Sequence, residues 1–155
     1  MLPENGGATT RGDSVEEIRA LMRRWFEECN KGEAAFMAVF DDMHTADIVV
    51  HGGGGEETRG VEGFRELCRE WLRAFPDLHF TVEDILVDGD RVATRHTWTG
   101  THKGELQGIP PTNKRVMSWE IEIDRVEKGR IAEVWTRYDT LGVMQQLGLS
   151  PLGEK

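Results

Sequence analysis

The sequence is poor in several things, and each scarcity excludes a class of protein. Only two of its 155 residues are cysteine, Cys29 and Cys68. That is too few for a disulfide scaffold, and they form no C-x-x-C pair. Both fall at helical spacing among apolar residues and read as reduced thiols of a cytoplasmic protein, with a disulfide between them left open. No apolar run approaches the ~18 residues that a membrane-spanning helix needs. Residues 1–13 lack an apolar stretch flanked by basic residues, so no secretory signal is expected there. This Gly-, Thr- and Asn-containing stretch is expected to be a disordered tail. Positive charge is also scarce, with 19 Lys and Arg against 28 Asp and Glu and a net charge of −9. Such a field repels nucleic acid and anionic lipid, so neither is expected as a partner. The glycine run Gly52-Gly53-Gly54-Gly55 is followed by Glu56 and Glu57 with no Gly-Lys-Ser/Thr. It reads as a flexible flap and not as a phosphate loop.

What is present is ordinary for a globular chain: 38% hydrophobic and 30% charged residues. The length suits one domain, expected over 14–150. Ser14-Val15-Glu16-Glu17 forms a capping box that opens a first helix. Ile18, Leu21, Met22, Trp25, Phe26 and Cys29 supply its apolar stripe, and Asn30-Lys31-Gly32 ends it. A short second helix is expected from Glu33 to about Phe40, then a strand over 46–51. A third helix carries Val61, Phe64, Leu67, Cys68, Trp71, Leu72 and Phe75, and Pro76 stops it. Alternating strands follow over 78–87, 91–101, 115–126 and 130–138, joined by Gly-containing turns. Leu141 to Leu147 reads as a last helical turn or two. Helices first and long antiparallel strands after give an α+β order.

Turn chemistry predicts register. At Val126-Glu127-Lys128-Gly129-Arg130 a two-residue turn needs positive φ at Lys128, which a long side chain resists. A three-residue loop ending in Gly129 is therefore expected. It pairs Val126 with Arg130, Glu122 with Val134 and Glu120 with Thr136. One face then holds Ser118, Glu120, Glu122, Val134, Thr136 and Tyr138. The other holds Met117, Trp119, Ile121, Ile123, Glu133, Trp135, Arg137 and Asp139, with Arg137 opposite Trp119 as a cation–π pair. A one-residue slip would exchange the groupings. At Val87-Asp88-Gly89 the same reading pairs Leu86 with Asp90 and Phe80 with His96. It puts Phe80, Val82, Val92, His96 and Trp98 on one face, with a two-residue Asp88-Gly89 turn as the alternative.

Several short motifs occur in order along the chain. They are Arg59-Gly60-Val61-Glu62-Gly63-Phe64, Ala74-Phe75-Pro76-Asp77, Gly100-Thr101-His102-Lys103-Gly104, Gly108-Ile109-Pro110-Pro111-Thr112, Gly129-Arg130-Ile131-Ala132-Glu133-Val134-Trp135 and Gln146-Leu147-Gly148. From about Val15 to Gly148 the chain thereby resembles the SnoaL-like polyketide (ester) cyclases of the nuclear-transport-factor-2-like superfamily. The resemblance implies an α+β cone, in which a curved antiparallel sheet wraps around the N-terminal helices and encloses a pocket. It implies a homo-oligomer, a dimer or a tetramer. It also implies intramolecular aldol closure of a polyketide ring with no metal and no cofactor: an acidic residue moves the proton, and a largely apolar pocket holds the enolate. The family's proton-transferring Asp falls on Thr136, a supporting His on Glu122 and a nearby Gln on Glu120. This departure implies a carboxylate moved across the hairpin.

The residues themselves leave two readings of the glutamate row. If it faces the pocket, Glu120 and Glu122 are a proton-transfer pair, since burial and a second carboxyl raise a carboxyl's pKa toward neutrality. If it faces water, Met117, Trp119, Ile121 and Ile123 form the core, as simple alternation favours. His96, in a strand beside Trp98, is a hydrogen-bond donor or proton acceptor, or a satisfied core histidine. Asp139 is an acid surviving at the end of the last strand, or the N-cap of the final helix. His51 reaches the pocket mouth or is an exposed loop histidine. His102 and 108–112 form a loop over the opening or a purely structural turn. Trp25, Phe80, Trp98, Thr136 and Tyr138 are the expected substrate contacts, and Trp25, Phe26, Trp71 and Tyr138 the aromatics able to stack on a ligand. His44 near Asp41, Asp42 and Asp47 lacks metal-ligand spacing.

These readings predict a cofactor-free cyclase or isomerase, of lyase or isomerase class, acting by acid/base proton transfer on a hydrophobic carbonyl compound. A hydrolase or dehydratase, or a non-catalytic small-molecule binder, is the alternative on the same scaffold.

Overall fold

The computed structural model describes residues 12–52 and 57–149. Residues 1–11 of the expected tail and 53–55 of the expected flap lie outside them. Along the chain run α1 (Val15–Asn30), α2 (Glu33–Met43), β1 (His44–His51), β2 (Glu57–Arg59), α3 (Val61–Ala74), β3 (His79–Asp88), β4 (Arg91–Thr101), β5 (Arg115–Glu127), β6 (Arg130–Tyr138) and α4 (Thr140–Gln146). No helix among the described residues is long and apolar enough to cross a membrane.

The capping box is reciprocal. Glu17 N–H donates to Ser14 Oγ at 3.2 Å, and Ser14 N–H donates to the Glu17 carboxylate at 2.6 Å, so two N-terminal donors are satisfied. Ile18, Met22, Phe26 and Cys29 are buried along one stripe of α1. At its end, Asn30 donates to the Phe80 carbonyl at 2.9 Å and accepts Phe80 N–H at 2.7 Å. This tie clamps α1 against β3 and orients Phe80 toward the interior. Gly32 and Gly60, each at positive φ, open α2 and α3.

The sheet is open, with order β2-β1-β6-β5-β4-β3. It is mixed rather than antiparallel throughout, because β1 runs parallel to β6, Val50 opposite Val134. Pairing between strands so distant in sequence leaves no local signal. The short β2, antiparallel to β1, was also unforeseen.

Both hairpins close by two-residue turns and then carry a bulge. In the last one Glu127 pairs with Arg130, and Lys128 and Gly129 both take positive φ, at 51° and 74°. Beyond the turn Ala132 is an extra residue on β6, and Glu122 pairs with Thr136 and Glu120 with Tyr138. The three-residue loop was thus the wrong turn. The bulge adds one residue, so the register lies two residues from the expected one and the faces are unchanged. In the other hairpin Asp88 pairs with Arg91, a shift follows between Val82 and Asp84, and Phe80 pairs with Trp98 in place of His96. Parity again survives, and Phe80, Val82, His96 and Trp98 share the inner face. Arg137 lies opposite Ile121 and not Trp119; the cation–π contact on this outer face is Arg91 over Trp135, at 4.9 Å.

On β5 the even-numbered residues point inward. Met117, Trp119, Ile121 and Ile123 point out, with exposures of 62%, 54%, 45% and 43%.

Candidate active site

The sheet curls over α1 and α3 and leaves a cavity of about 270 Å³. Trp25 and Cys29 reach it from α1, Leu67, Cys68 and Trp71 from α3, and Phe80, His96, Trp98, Glu120, Glu122, Thr136 and Tyr138 from the sheet. Trp71 meets Trp98 and Tyr138 edge-on, at 5.5 Å for each pair of ring centroids. These rings give flat apolar walls. Among the described lining residues none is Lys or Arg.

The polar groups converge because of register. β4 places His96 opposite Glu120 and Thr94 opposite Glu122; β6 places Tyr138 opposite Glu120 and Thr136 opposite Glu122. His96 Nε2 lies 3.3 Å from Glu120 Oε2, and the Thr136 hydroxyl reaches diagonally to donate to Glu120 Oε1. Glu120 therefore accepts the Thr136 hydroxyl at one oxygen and has the His96 ring beside the other. The His96 ring is only 1% exposed. It is walled by Phe26 at 4.8 Å and Phe80 at 5.4 Å, which fix its plane.

Glu122 is 7% exposed and accepts a hydrogen bond from the Thr94 hydroxyl at 3.2 Å. Burial, with Asp124 and Glu120 adding like charge, pushes its carboxyl well above the ordinary carboxylate range. Neighbouring His96 and the Thr94 bond act against that rise without reversing it. The wall thus offers two carboxyl groups in different settings: Glu120 between the Thr136 hydroxyl and the His96 ring, and Glu122 buried with its carboxyl shifted toward the acid form. Burial also pushes the Cys29 thiol up to about 12 and Cys68 upward, and both cysteines are free. They line the cavity as neutral thiols and not as nucleophiles.

Of the residues singled out in the sequence, Glu120, Glu122, His96, Trp25, Phe80, Trp98, Thr136 and Tyr138 line this cavity. Two do not. Asp139 caps α4, accepting Gly142 N–H at 2.8 Å, on the exposed side of the strand end. His51 belongs to the outer face, where it stacks on Trp135 at 5.3 Å and contacts Glu133 at 2.9 Å. Adjacent Val50 takes the inward position.

His102 is buried off the cavity and ties its loop, its Nδ1 accepting Thr112 N–H at 3.2 Å. Gln107, from that loop and at positive φ, is the residue that reaches the opening. The loop is seated on the end of α3 by Lys103 N–H and Gly104 N–H, which donate to the Ala74 carbonyl at 2.9 and 3.1 Å. A Cβ on Gly104 would run into the Arg73 carbonyl, which explains glycine there.

His44 is a core residue. Its Nε2 accepts the Trp25 indole N–H at 3.2 Å, so its hydrogen sits on Nδ1 and is donated to the Phe40 carbonyl at 2.8 Å. Among the described residues no group of three His, Cys, Asp or Glu is placed to hold a metal ion. Thr94 and Asp124 went unrecognised in the sequence. Both lie on the inward parity of their strands, and that parity was the signal available.

A curved sheet closed by helices over an apolar pocket, with carboxyl and imidazole groups on one wall, defines a nuclear-transport-factor-2-like cone of the small-molecule-processing kind. The family model of SnoaL-like polyketide cyclases matches residues 20–147, and the chain belongs to that family. Aklanonic acid methyl ester cyclase DnrD of Streptomyces peucetius is 30% identical over 132 residues, spanning 83% of this chain and 88% of that one. The crystal structure of AclR from Streptomyces galilaeus, described as a candidate hydroxylase, superposes with a TM-score of 0.76 at 30% identity, covering 92% of this chain and 87% of that one. A candidate SnoaL-like polyketide cyclase from Jannaschia sp. CCS1 shares the fold, with a TM-score of 0.81 at 21% identity over 95% of this chain and 100% of that one.

Proposed function

We propose that this chain closes a ring in a neutral, aromatic-faced polyketide ester by intramolecular aldol condensation, without metal or cofactor. The observation that carries the reading is Glu120, held by His96 and Thr136 at the polar wall of an otherwise aromatic cavity, beside an acid-form Glu122. Glu120 takes the proton from the carbon next to a carbonyl. The resulting enolate attacks a second carbonyl of the same molecule and forms the carbon–carbon bond. Glu122 delivers its proton to the new alkoxide, and the proton on Glu120 passes to Glu122, two residues along the same face, to reset the site. The absence of Lys and Arg among the described lining residues disfavours a free carboxylate in the substrate and favours its ester. Esters are also what the cyclase relatives are named for.

The test is incubation with an aromatic polyketide keto ester, followed by mass and NMR analysis of the product. Unchanged mass with one ketone converted to a tertiary alcohol is the expected result. A gain of one water identifies a hydrolase, a gain of one oxygen aligns the chain with AclR, and no turnover across a panel of such esters overturns the reading.

The outward row of Met117, Trp119, Ile121 and Ile123 is continuous, apolar and exposed, the kind of patch that monomers rarely leave to water. Self-association through it gives a homodimer. The Trp119→Lys, Ile121→Lys double variant is expected to run as a monomer in light-scattering chromatography where the wild type runs as a dimer. A monomeric wild type at tens of micromolar ends this idea.

A further inference from the structure

Behind the cavity wall is a second space of about 10 Å³, the size of one water, bordered by Glu122, Asp124, Trp25, His44 and Phe64. Glu122 borders both this space and the main cavity; Asp124 borders only the smaller one. Asp124 is 1% exposed, and its Oδ1 is buried with no hydrogen-bond partner among the described residues. It stands on β5 between Val92 of β4 and Val134 of β6.

The groups around it cannot neutralise it. His44, from the start of β1, has its one hydrogen committed to the Phe40 carbonyl, and its other nitrogen is occupied by Trp25. From α1 come the Trp25 indole, already donated, and the neutral Cys29 thiol. From α3 comes Phe64. From β4, the Thr94 hydroxyl bonds Glu122, and His96 is engaged with Glu120. Among the described residues no Lys or Arg borders the space. Two carboxyl groups thus border one small buried space; Glu122 has the Thr94 hydroxyl as a donor, and Asp124 Oδ1 has none among the described residues.

We propose that Asp124 is a positioning residue: through the one-water space it shares with Glu122, it keeps a proton within the pair, and Glu122, the member that borders the cavity, delivers it there as the acid. Two anions side by side in an apolar wall are strongly disfavoured. The pair therefore gives up its first proton with difficulty and its second with more, because the charge left by the first opposes the second across the shared space. Burial raises both carboxyls, with Glu120 adding to Asp124.

The inference rests on the cyclase reading for Glu122's role, but its physical core does not need a substrate. Infrared-detected pH titration of the purified protein reads the C=O stretch of buried carboxylic acids directly. Two separated buried-carboxyl transitions are expected in the wild type and one in Glu122→Gln. In Asp124→Asn one transition should remain, about one pH unit below the later one of the wild type, because the opposing charge is gone. Asp124→Leu, which removes the charge without adding a polar group, should shift it the same way. With a working substrate, the alkaline limb of the kcat–pH profile should move down by the same amount. A single buried-carboxyl transition in the wild type overturns the proposal, as does a remaining transition as high as the later wild-type one in a folded Asp124 variant. An infrared shift without any cyclisation leaves the coupling standing and removes the cyclase reading instead.

Discussion

Glu120→Gln is expected to lower kcat/KM for ring closure by about 10²–10⁴-fold, the usual contribution of a positioned general base, while the protein stays folded. The amide keeps the size of the carboxylate and can still accept the Thr136 hydroxyl at its oxygen. Its nitrogen carries two hydrogens and cannot take another proton, so the loss falls on proton abstraction. Folding is not expected to suffer. The replacement removes a half-buried carboxylate beside Glu122 and keeps its shape, and such exchanges at functional sites are often neutral or stabilising. Steady-state kinetics with thermal unfolding on the same sample separates the two effects. Equal losses in kcat and kcat/KM are expected, because the proton transfer occurs in the transition state and not on binding. If Glu120→Gln is fully active while Glu122→Gln is dead, the two carboxyls have exchanged roles. If both variants keep full activity, the proposed machinery is wrong.

Phe26→Ala is expected to lower unfolding free energy by about 3–5 kcal/mol. Phe26 is fully enclosed, with ring centroids 4.9 Å from Trp25, 5.6 Å from Phe80 and 4.8 Å from His96. Its removal leaves a void that these rings cannot fill without leaving their rotamers. The same void frees the face of His96 that Phe26 now holds. The kcat should therefore fall further than in a core truncation of equal stability cost away from the cavity lining, such as Phe40→Ala. Urea unfolding midpoints checked against kcat decide the matter. A loss below about 1 kcal/mol would show that the site can collapse and that Phe26 does not brace the histidine.

How much of this was legible in the chain depends on distance along it. The first helix announces itself because a capping box and a 3.6-residue apolar period are satisfied within a few residues. The same holds for Pro76 after α3 and for Asp139, whose side chain caps α4 as one of its two readings had it. The hairpins were legible as hairpins but not as turns. Lys128 accepts a positive φ that its side chain disfavours, and Ala132 then restores the face with a bulge. That correction belongs to curvature: a sheet bent around helices inserts residues on one strand, and no property of Lys128 or Ala132 alone states where.

What the sequence settled by itself is local: helix starts and stops, strand spans, the scarcity of positive charge, and the alternation that keeps Glu120 with Glu122 and Trp119 with Ile121. Which of those two rows looks inward was decided only by the tertiary structure. Hydrophobicity alone would have buried Trp119 and Ile121. The curl of β3–β6 over α1 and α3 instead leaves an interior cavity wide enough for polar side chains to find partners in His96, Thr94 and Thr136. The parallel docking of β1 on β6, which turns Val50 in and His51 out, was likewise a matter of long-range packing. A side chain's face follows from two-residue periodicity, but the direction of that face follows from what packs against the sheet, and that information is spread over the whole chain.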